Sequence, residues 1–414
     1  MQRRDIVDDF WDAADRNPPG HEAAAARFRA LIHTTQQPSS CERRCRLNSA
    51  YHGGALADVR RLAYALMYAV THNCALVTEW PHNRKTINES SLLTTSAELR
   101  SRCANENRKG FRCYFQPPST CHQVNTPSPH AMEFDLDGGL FKLERCLDRI
   151  NQLTGLRSEL LIMGSLVSWI MRPQPELREA IQLYGRAAGF DGRGVRERNI
   201  AMHVRHGDKH SLYPKHMKND SWRVSAQSFE AWGRRVAASI GAERTLYMTD
   251  DPQVMRSLEE RSDGFFRLVP AGRACIPSYA AGMLGKHHIP AAVQLIRMHR
   301  DEITGKARRK IDAASAGCGP AYLADDGIQL FAGVYLLAQC GAFIGTQLSN
   351  IDAAVVELMA TRRHPPIMFD VLNDVHRACL SDEKVWFGGS HAQRRPLDYE
   401  RLAIGGGNTT SGRC

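Results

Sequence analysis

Residues 203–209 read HVRHGDK, placing two histidines, an arginine, an aspartate and a lysine directly after the apolar run NIAM. A guanidinium presents a planar fork of donors that matches phosphate oxygens, and a neighbouring lysine or histidine adds charge or a proton. Arg205 is therefore the natural centre of an anion grip, with His203, His206, Asp208 and Lys209 around it. Two further segments put polar residues where apolar runs end: TDD at 249–251, with Asp250 and Asp251, and GTQLSN at 345–350, with Thr346, Ser349 and Asn350. Ser349 and Asn350 open a helical pattern, and a helix N-terminus offers unpaired N–H groups to an anion. Gly53 and Gly54 also precede a helical pattern and make a second candidate cradle. A nucleoside diphosphate held between two domains would use all of these groups.

Each residue also has a purely structural reading. His203, alternating inward on a strand, suits a core histidine bonded to backbone. Asp250-Asp251-Pro252 and Ser349-Asn350 suit helix caps, since Asp and Ser favour that position and Pro the next one. Asp325-Asp326-Gly327 reads as a turn or cap. Gly53-Gly54 lacks the third glycine of a dinucleotide loop. The trio His203, His206 and His210 has no carboxylate or cysteine at suitable spacing, so no metal is expected.

The elements that must position these groups form an alternating series. NIAMHV, RTLYMTD, AFIGT and PPIMFDVL read as strands, and SFEAWGRRVAASIG, PQVMRSLEER, IQLFAGVYLLAQCG and NIDAAVVELMATRR read as helices. Such alternation predicts a parallel sheet covered by helices, a doubly wound domain. Ligands of such sheets bind outside the carboxyl ends of the strands, so HVRHGDK, TDD and GTQLSN are expected on one rim. Upstream, EAAAARFRALIH reads as a helical lead with little core of its own. Leu56, Val59, Leu62, Leu66 and Val70 mark a helix, and CALVTEW a strand. Helices follow near 140–155, 158–171 and 175–190. The apolar stretch LLIMGSLVSWIM is 12 residues long, too short to span a bilayer, and reads as a buried helix.

A length of 414 residues favours two domains. The expected boundaries are a helical lead over 1–40, an α/β domain over 41–190 with a cysteine-rich insertion at 83–130, a Rossmann-like nucleotide-sugar-binding domain over 191–380, and a tail over 381–414. With 43% hydrophobic and 24% charged residues, neither disorder nor a fibre is indicated. The net charge of +10 permits an anionic partner, and without a nucleic-acid motif a phosphate ligand ranks above nucleic acid. Cys41, Cys45, Cys74, Cys103, Cys113, Cys121 and Cys146 cluster early, and no second close pair completes a zinc ribbon, so disulfides are expected there. Sequons at Asn88, Asn219 and Asn408 agree with a secretory setting, although the opening residues hold no apolar run of signal-peptide length.

HVRHGDK, LYMTDDPQVM and AFIGTQLSNIDAAVVELM together resemble the three ordered motifs of the α1,6-fucosyltransferases and of the related protein O-fucosyltransferases. SLVSWIMRPQPELREAIQLYGRAAGF is similar to the helix-RPQP-helix that precedes the first motif in the core N-glycan enzyme, and GGALADVRRLAYALMYAVTHNCAL to its glycine loop and following helix. The likeness runs over roughly residues 45–390, with 83–130 poorly matched. It implies a two-domain GT-B-like glycosyltransferase that moves fucose from GDP-fucose to a glycan acceptor through an α1,6 linkage, with inversion and neither metal nor other cofactor. It implies Arg205 on the β-phosphate, His203 and the Gly53-Gly54 loop on GDP, Ser349 and Asn350 on phosphate, and Asp250 and Asp251 shaping loops. A Golgi or secretory-lumen location follows from the same likeness. Tyr213 stands where the core enzyme has its glutamate base, His206 replaces the second arginine, and Gly333 aligns with the aspartate beside guanine. Asp208, His206 and His210 are then the nearest candidate bases. A protein O-fucosyltransferase-like enzyme or a GDP-sugar-binding pseudoenzyme remains the alternative. Neither a nucleic-acid partner nor a membrane-spanning segment is expected in this chain.

Overall fold

The computed structural model describes residues 10–11, 20–47, 55–77, 96–106, 108, 110–123, 131–134, 143–190, 198–204, 226–249, 254, 257–258, 264–269, 323, 325–345, 349–361, 367–370 and 375–379. They form a mixed α/β structure with two sheets. The smaller sheet has β1 (Arg44–Leu47) between β2 (Ala75–Val77) and β3 (Ala131–Phe134), all parallel. The larger has six strands in the order β6-β5-β4-β7-β8-β9. These are β4 (Asn199–Val204), β5 (Arg244–Thr249), β6 (Phe266–Leu268), β7 (Ala342–Gly345), β8 (Ile367–Asp370) and β9 (Val375–Cys379). Every neighbouring pair is parallel except β8 and β9.

The larger sheet is doubly wound because β4 is apolar on both faces. Ile200, Met202 and Val204 pack with Phe229 and Val236 of the helix after it, α7 (Ala226–Ile240). Ala201 faces the opposite layer, where α8 (Asp326–Leu337) and α9 (Asn350–Ala360) lie. The chain moves outward from β4 through β5 to β6, then returns to the other side of β4 to lay down β7 and β8. Strand order therefore reverses between β4 and β7, the switch point at which such sheets open a crevice.

Six further α-helices are described: α1 (Glu22–Gln36), α2 (Ala55–Thr71), α3 (Ala97–Asn105), α4 (Leu143–Thr154), α5 (Glu159–Ile170) and α6 (Pro175–Ala187). α5 is apolar all round because it is buried all round, packing on α2 on one side and α9 on the other. Its Gly164 lets the α9 backbone come close, since a Cβ there would meet the Glu357 carbonyl oxygen at 2.3 Å. Pro175 opens α6 and Gly189 follows its end at φ +87°, the expected asymmetry. The lead helix departs from expectation: Phe28 and Ile32 of α1 are fully buried in the main core. Ala25, Phe28 and Ile32 on one face were enough to recruit a helix whose composition is mostly charge and alanine.

The smaller sheet is reinforced by side chains and disulfides. Gln36 accepts from Leu76 N at 2.8 Å and donates to the Cys74 carbonyl, while Ser119 Oγ donates to the Leu76 carbonyl at 2.7 Å. These bonds occupy the outer edge of β2, which would otherwise expose backbone groups. Cys45 pairs with Cys74, Cys41 with Cys121 and Cys103 with Cys113, so the expected disulfides are present and Cys41 and Cys45 take different partners. Cys146 is a buried free thiol whose pKa burial pushes up. Among the described residues no helix is long and apolar enough to cross a membrane.

Candidate functional site

The register of the larger sheet brings three strand ends together. Val204 lies opposite Thr249 at the ends of β4 and β5, and Met202 lies opposite Ile344, one residue before β7 ends at Gly345. The segments that follow in sequence, RHGDK, DD and TQLSN, thus leave from adjacent strands at one edge of one sheet. Arg205, His206, Asp208, Lys209, Gly53, Gly54, Asp250, Asp251 and Thr346 lie outside the described residues, as do Tyr213 and the three sequons. His203, Ser349 and Asn350 are described.

His203 ends the inward alternation of β4 and is 2% exposed. Its Nδ1 donates to Oδ1 of Asp352, which is fully buried in the first turn of α9. Against an ionised carboxylate Nδ1 is the donor, and Nε2 is the ring's second nitrogen. Asp352 is itself favoured at this place by the positive end of the helix dipole. The pair links the strand before the first motif to the helix of the third, across the switch point.

Gly345 makes that contact sterically feasible. A Cβ on it would stand 2.8 Å from Asp352 Oδ2 and 2.5 Å from the Phe343 ring. Ser349 caps α9, its Oγ accepting from Ile351 N at 3.2 Å, so the capping reading holds for this residue. Its hydroxyl hydrogen is not consumed by that bond, and a serine can cap and still donate to an anion. Asn350 begins the same helix and is half-buried.

Asp325 also proves to be a cap. Fully buried, it accepts from Gly327 N and Ile328 N at 3.1 Å, from Tyr114 Oη at 3.0 Å and from Ser96 N at 2.9 Å. Gly333 is packed against β5: a Cβ there would meet Met248 Sδ at 2.5 Å. No acidic side chain fits at that position without displacing Met248.

Three residues were not singled out from sequence: Asp352, Arg60 and Glu357. Arg60 Nε of α2 stands 3.2 Å from Glu357 Oε1 of α9, and both groups are buried. No oxygen of Glu357 completes a well-directed hydrogen bond, so the pair is electrostatic contact rather than a bidentate fork. Burial pushes the Glu357 carboxyl above the usual range, and Arg60 pulls it back. The signal was present in NIDAAVVELMA, an apolar helix interrupted by two carboxylates, each of which needs a partner once buried.

No protein-family model and no curated protein matches the chain. Solved structures do resemble it. NodZ alpha-1,6-fucosyltransferase soaked with GDP-fucose has 15% identity and a TM-score of 0.42, covering 81% of this chain and 98% of its own. POFUT1 in complex with GDP has 10% identity and a TM-score of 0.37, with 80% and 98% covered. A mutant of Arabidopsis thaliana FUT1 in complex with GDP has 9% identity and a TM-score of 0.39, with 87% and 77% covered. These solved structures are distant likenesses of the chain.

Proposed function

We propose that this protein is a glycosyltransferase that moves fucose from GDP-fucose to a glycan acceptor through an α1,6 linkage, with inversion and without metal. The observation that carries this reading is the convergence of three motif-bearing strand ends at the switch point of a doubly wound sheet. In this reading the enzyme is GT-B-like with two units divided near residue 190, one sheet belonging to each and the donor held between them. The three disulfides suit an oxidising compartment, and a Golgi lumen is the proposed location.

In the proposed reaction the acceptor oxygen bonds to C1 of fucose as the bond from C1 to the β-phosphate oxygen breaks. The electron pair leaves with GDP, and the acceptor's proton passes to a base near the first motif, with Asp208, His206 and His210 the candidates. Charge grows on the β-phosphate, so fixed donors aimed there lower the barrier. Arg205 is the central donor, with Lys209, the Ser349 hydroxyl and Asn350 at the start of α9 in support. His203, held by Asp352, offers Nε2 toward the nucleotide. Gly53 and Gly54 close the cradle from the other sheet, through the helix that Arg60 ties to Glu357. Asp250, Asp251 and Thr346 shape the intervening loops.

Release of GDP from GDP-fucose, followed with an acceptor panel and with GDP-mannose as control, tests the reading. Arg205→Ala is expected to abolish turnover, a loss of at least about 10²-fold for one such donor, while the melting temperature is kept. Full activity in that variant overturns the assignment. Tyr213 at the position of the family's glutamate favours a second reading, a GDP-sugar-binding pseudoenzyme. Calorimetric GDP binding without transfer to any acceptor would select it. Transfer to Ser or Thr of a folded domain would select the protein O-fucosyltransferase alternative.

A further inference from the structure

The His203–Asp352 pair leaves one nitrogen over. Asp352 lies in the first turn of α9, behind the Ser349 cap, and its carboxylate takes the Nδ1 hydrogen of His203, the penultimate residue of β4. The ring therefore sits where a strand ends at the sheet's carboxyl edge and a helix begins. Asp352 is fully buried and His203 nearly so. Nε2 has no hydrogen-bond partner among the described residues. A polar atom at that depth ordinarily has one.

The two ring nitrogens are not independent. While the Nδ1 hydrogen is given to Asp352, a neutral ring presents Nε2 as an acceptor. A diphosphate also presents acceptors at neutral pH, so a neutral His203 would set lone pair against lone pair. A second hydrogen, on Nε2, removes the conflict, because the ring then donates to the carboxylate on one side and to a phosphate oxygen on the other. The imidazolium so formed stands between two anions, and a buried charge requires such partners. Among the described residues Asp352 is the charged group against the ring. β5 brings Met248 beside it, α8 brings Gly333 against Met248, and β7 brings Gly345 against Asp352. Arg205, His206, Asp208, Lys209, Asp250 and Asp251 follow the same strand ends in sequence.

We propose that Asp352 is a positioning residue for the sugar donor and that His203 takes up one proton on Nε2 as the donor diphosphate binds. The proposal rests on the sheet edge being the GDP-fucose site. The proton comes from solvent and is retained while the diphosphate stays, so no bond of the donor breaks in this step. With one more proton bound than in the empty protein, donor affinity falls as pH rises through the histidine range, by at most about tenfold per pH unit. Asp352 contributes twice, by orienting the ring and by balancing its charge, and only the second contribution requires a carboxylate.

Calorimetry of GDP-fucose binding to the full chain slightly above neutral pH, in buffers of different ionisation enthalpy, counts the protons taken up. GDP-fucose is the probe because both its phosphates are esterified and do not titrate near neutrality, whereas the terminal phosphate of GDP does. Uptake approaching one proton per donor is expected, and His203→Gln is expected to abolish it. Asp352→Asn keeps an acceptor for Nδ1, so its melting temperature should hold while uptake falls by at least about half and affinity by about tenfold or more. A merely structural role would move the melting temperature instead. Should His203→Gln fail to fold, nitrogen-15 NMR of the histidine rings carries the test, with Nε2 of His203 expected to become protonated on saturation. Binding without uptake in the unaltered chain, uptake unchanged in either folded variant, or an Nε2 that stays unprotonated overturns the proposal and leaves the donor site standing. Absence of GDP-fucose binding overturns both.

Discussion

The two sheets solve the same problem by different means. The smaller has strands of three or four residues, too little area for burial to hold it alone, and it is tied by Cys45–Cys74, by Cys41–Cys121 and by the Gln36 and Ser119 side chains. The larger has six-residue central strands packed on both faces, with no disulfide among its described residues. Burial suffices there, and the polar side chains described at its edge serve to join elements, His203 bonding to Asp352 and Ser349 capping α9. The lesson is that a strand long enough to be buried on both faces needs no staple.

The largest expected effect comes from cutting the staple. Cys41→Ser with Cys121→Ser opens a closure of 80 residues, worth about 4.5 kcal/mol in the chain-entropy picture. Chemical denaturation should show that loss, and hydrogen exchange should place it in the smaller sheet while β4 and β5 stay protected. Equal deprotection of both sheets would break the contrast between them.

The next effect tests the joint between the two. Removing one partner of a buried ion pair leaves the other charge unpaired, so Glu357→Ala or Arg60→Ala should cost roughly 3–4 kcal/mol. The double change Arg60→Met with Glu357→Leu should cost less than either single change, because two desolvated ions are removed together. A double variant as unstable as the sum of the singles would mean that the pair is not coupled.

The smallest effect belongs to the sheet edge. Asp352→Ala strands the His203 N–H in a buried site, a cost of roughly 1–3 kcal/mol, whereas Asp352→Asn retains an acceptor and should recover most of it. Urea titration of the two variants checks this. If Asn is no better than Ala, the bond described for Asp352 is not what positions His203.

Much of the larger sheet was legible in the sequence. NIAMHV, RTLYMTD and AFIGT announce strands because they are short, apolar and bounded by polar residues, and the helices between them carry period and caps. The reading of Asp325 as a cap and of 160–171 as a buried helix also holds. The smaller sheet was harder. RCRL of β1 carries the disulfide-bonded Cys45 in a charged run, and its strand character comes from pairing with β2 and β3, partners far away in sequence. At the candidate site, residue types marked Arg205, His203 and Ser349, but no local pattern says which carboxylate a histidine will meet. Asp352 stands 149 residues from His203, and only the return of the chain to the other side of β4 brings them together. Gly345 was likewise visible only as a strand-ending glycine, whereas its reason is the oxygen that passes over it.

The five-residue spacing of Asp352 and Glu357 has a mechanical consequence. At 3.6 residues per turn, the two carboxylates point about 140° apart and about 7.5 Å along the axis of α9. One is fastened to the sheet beneath and the other to α2, and Gly164 lets the α5 backbone close on the helix beside Glu357 and Thr361. A rod fastened at two heights in two directions resists both sliding and rolling.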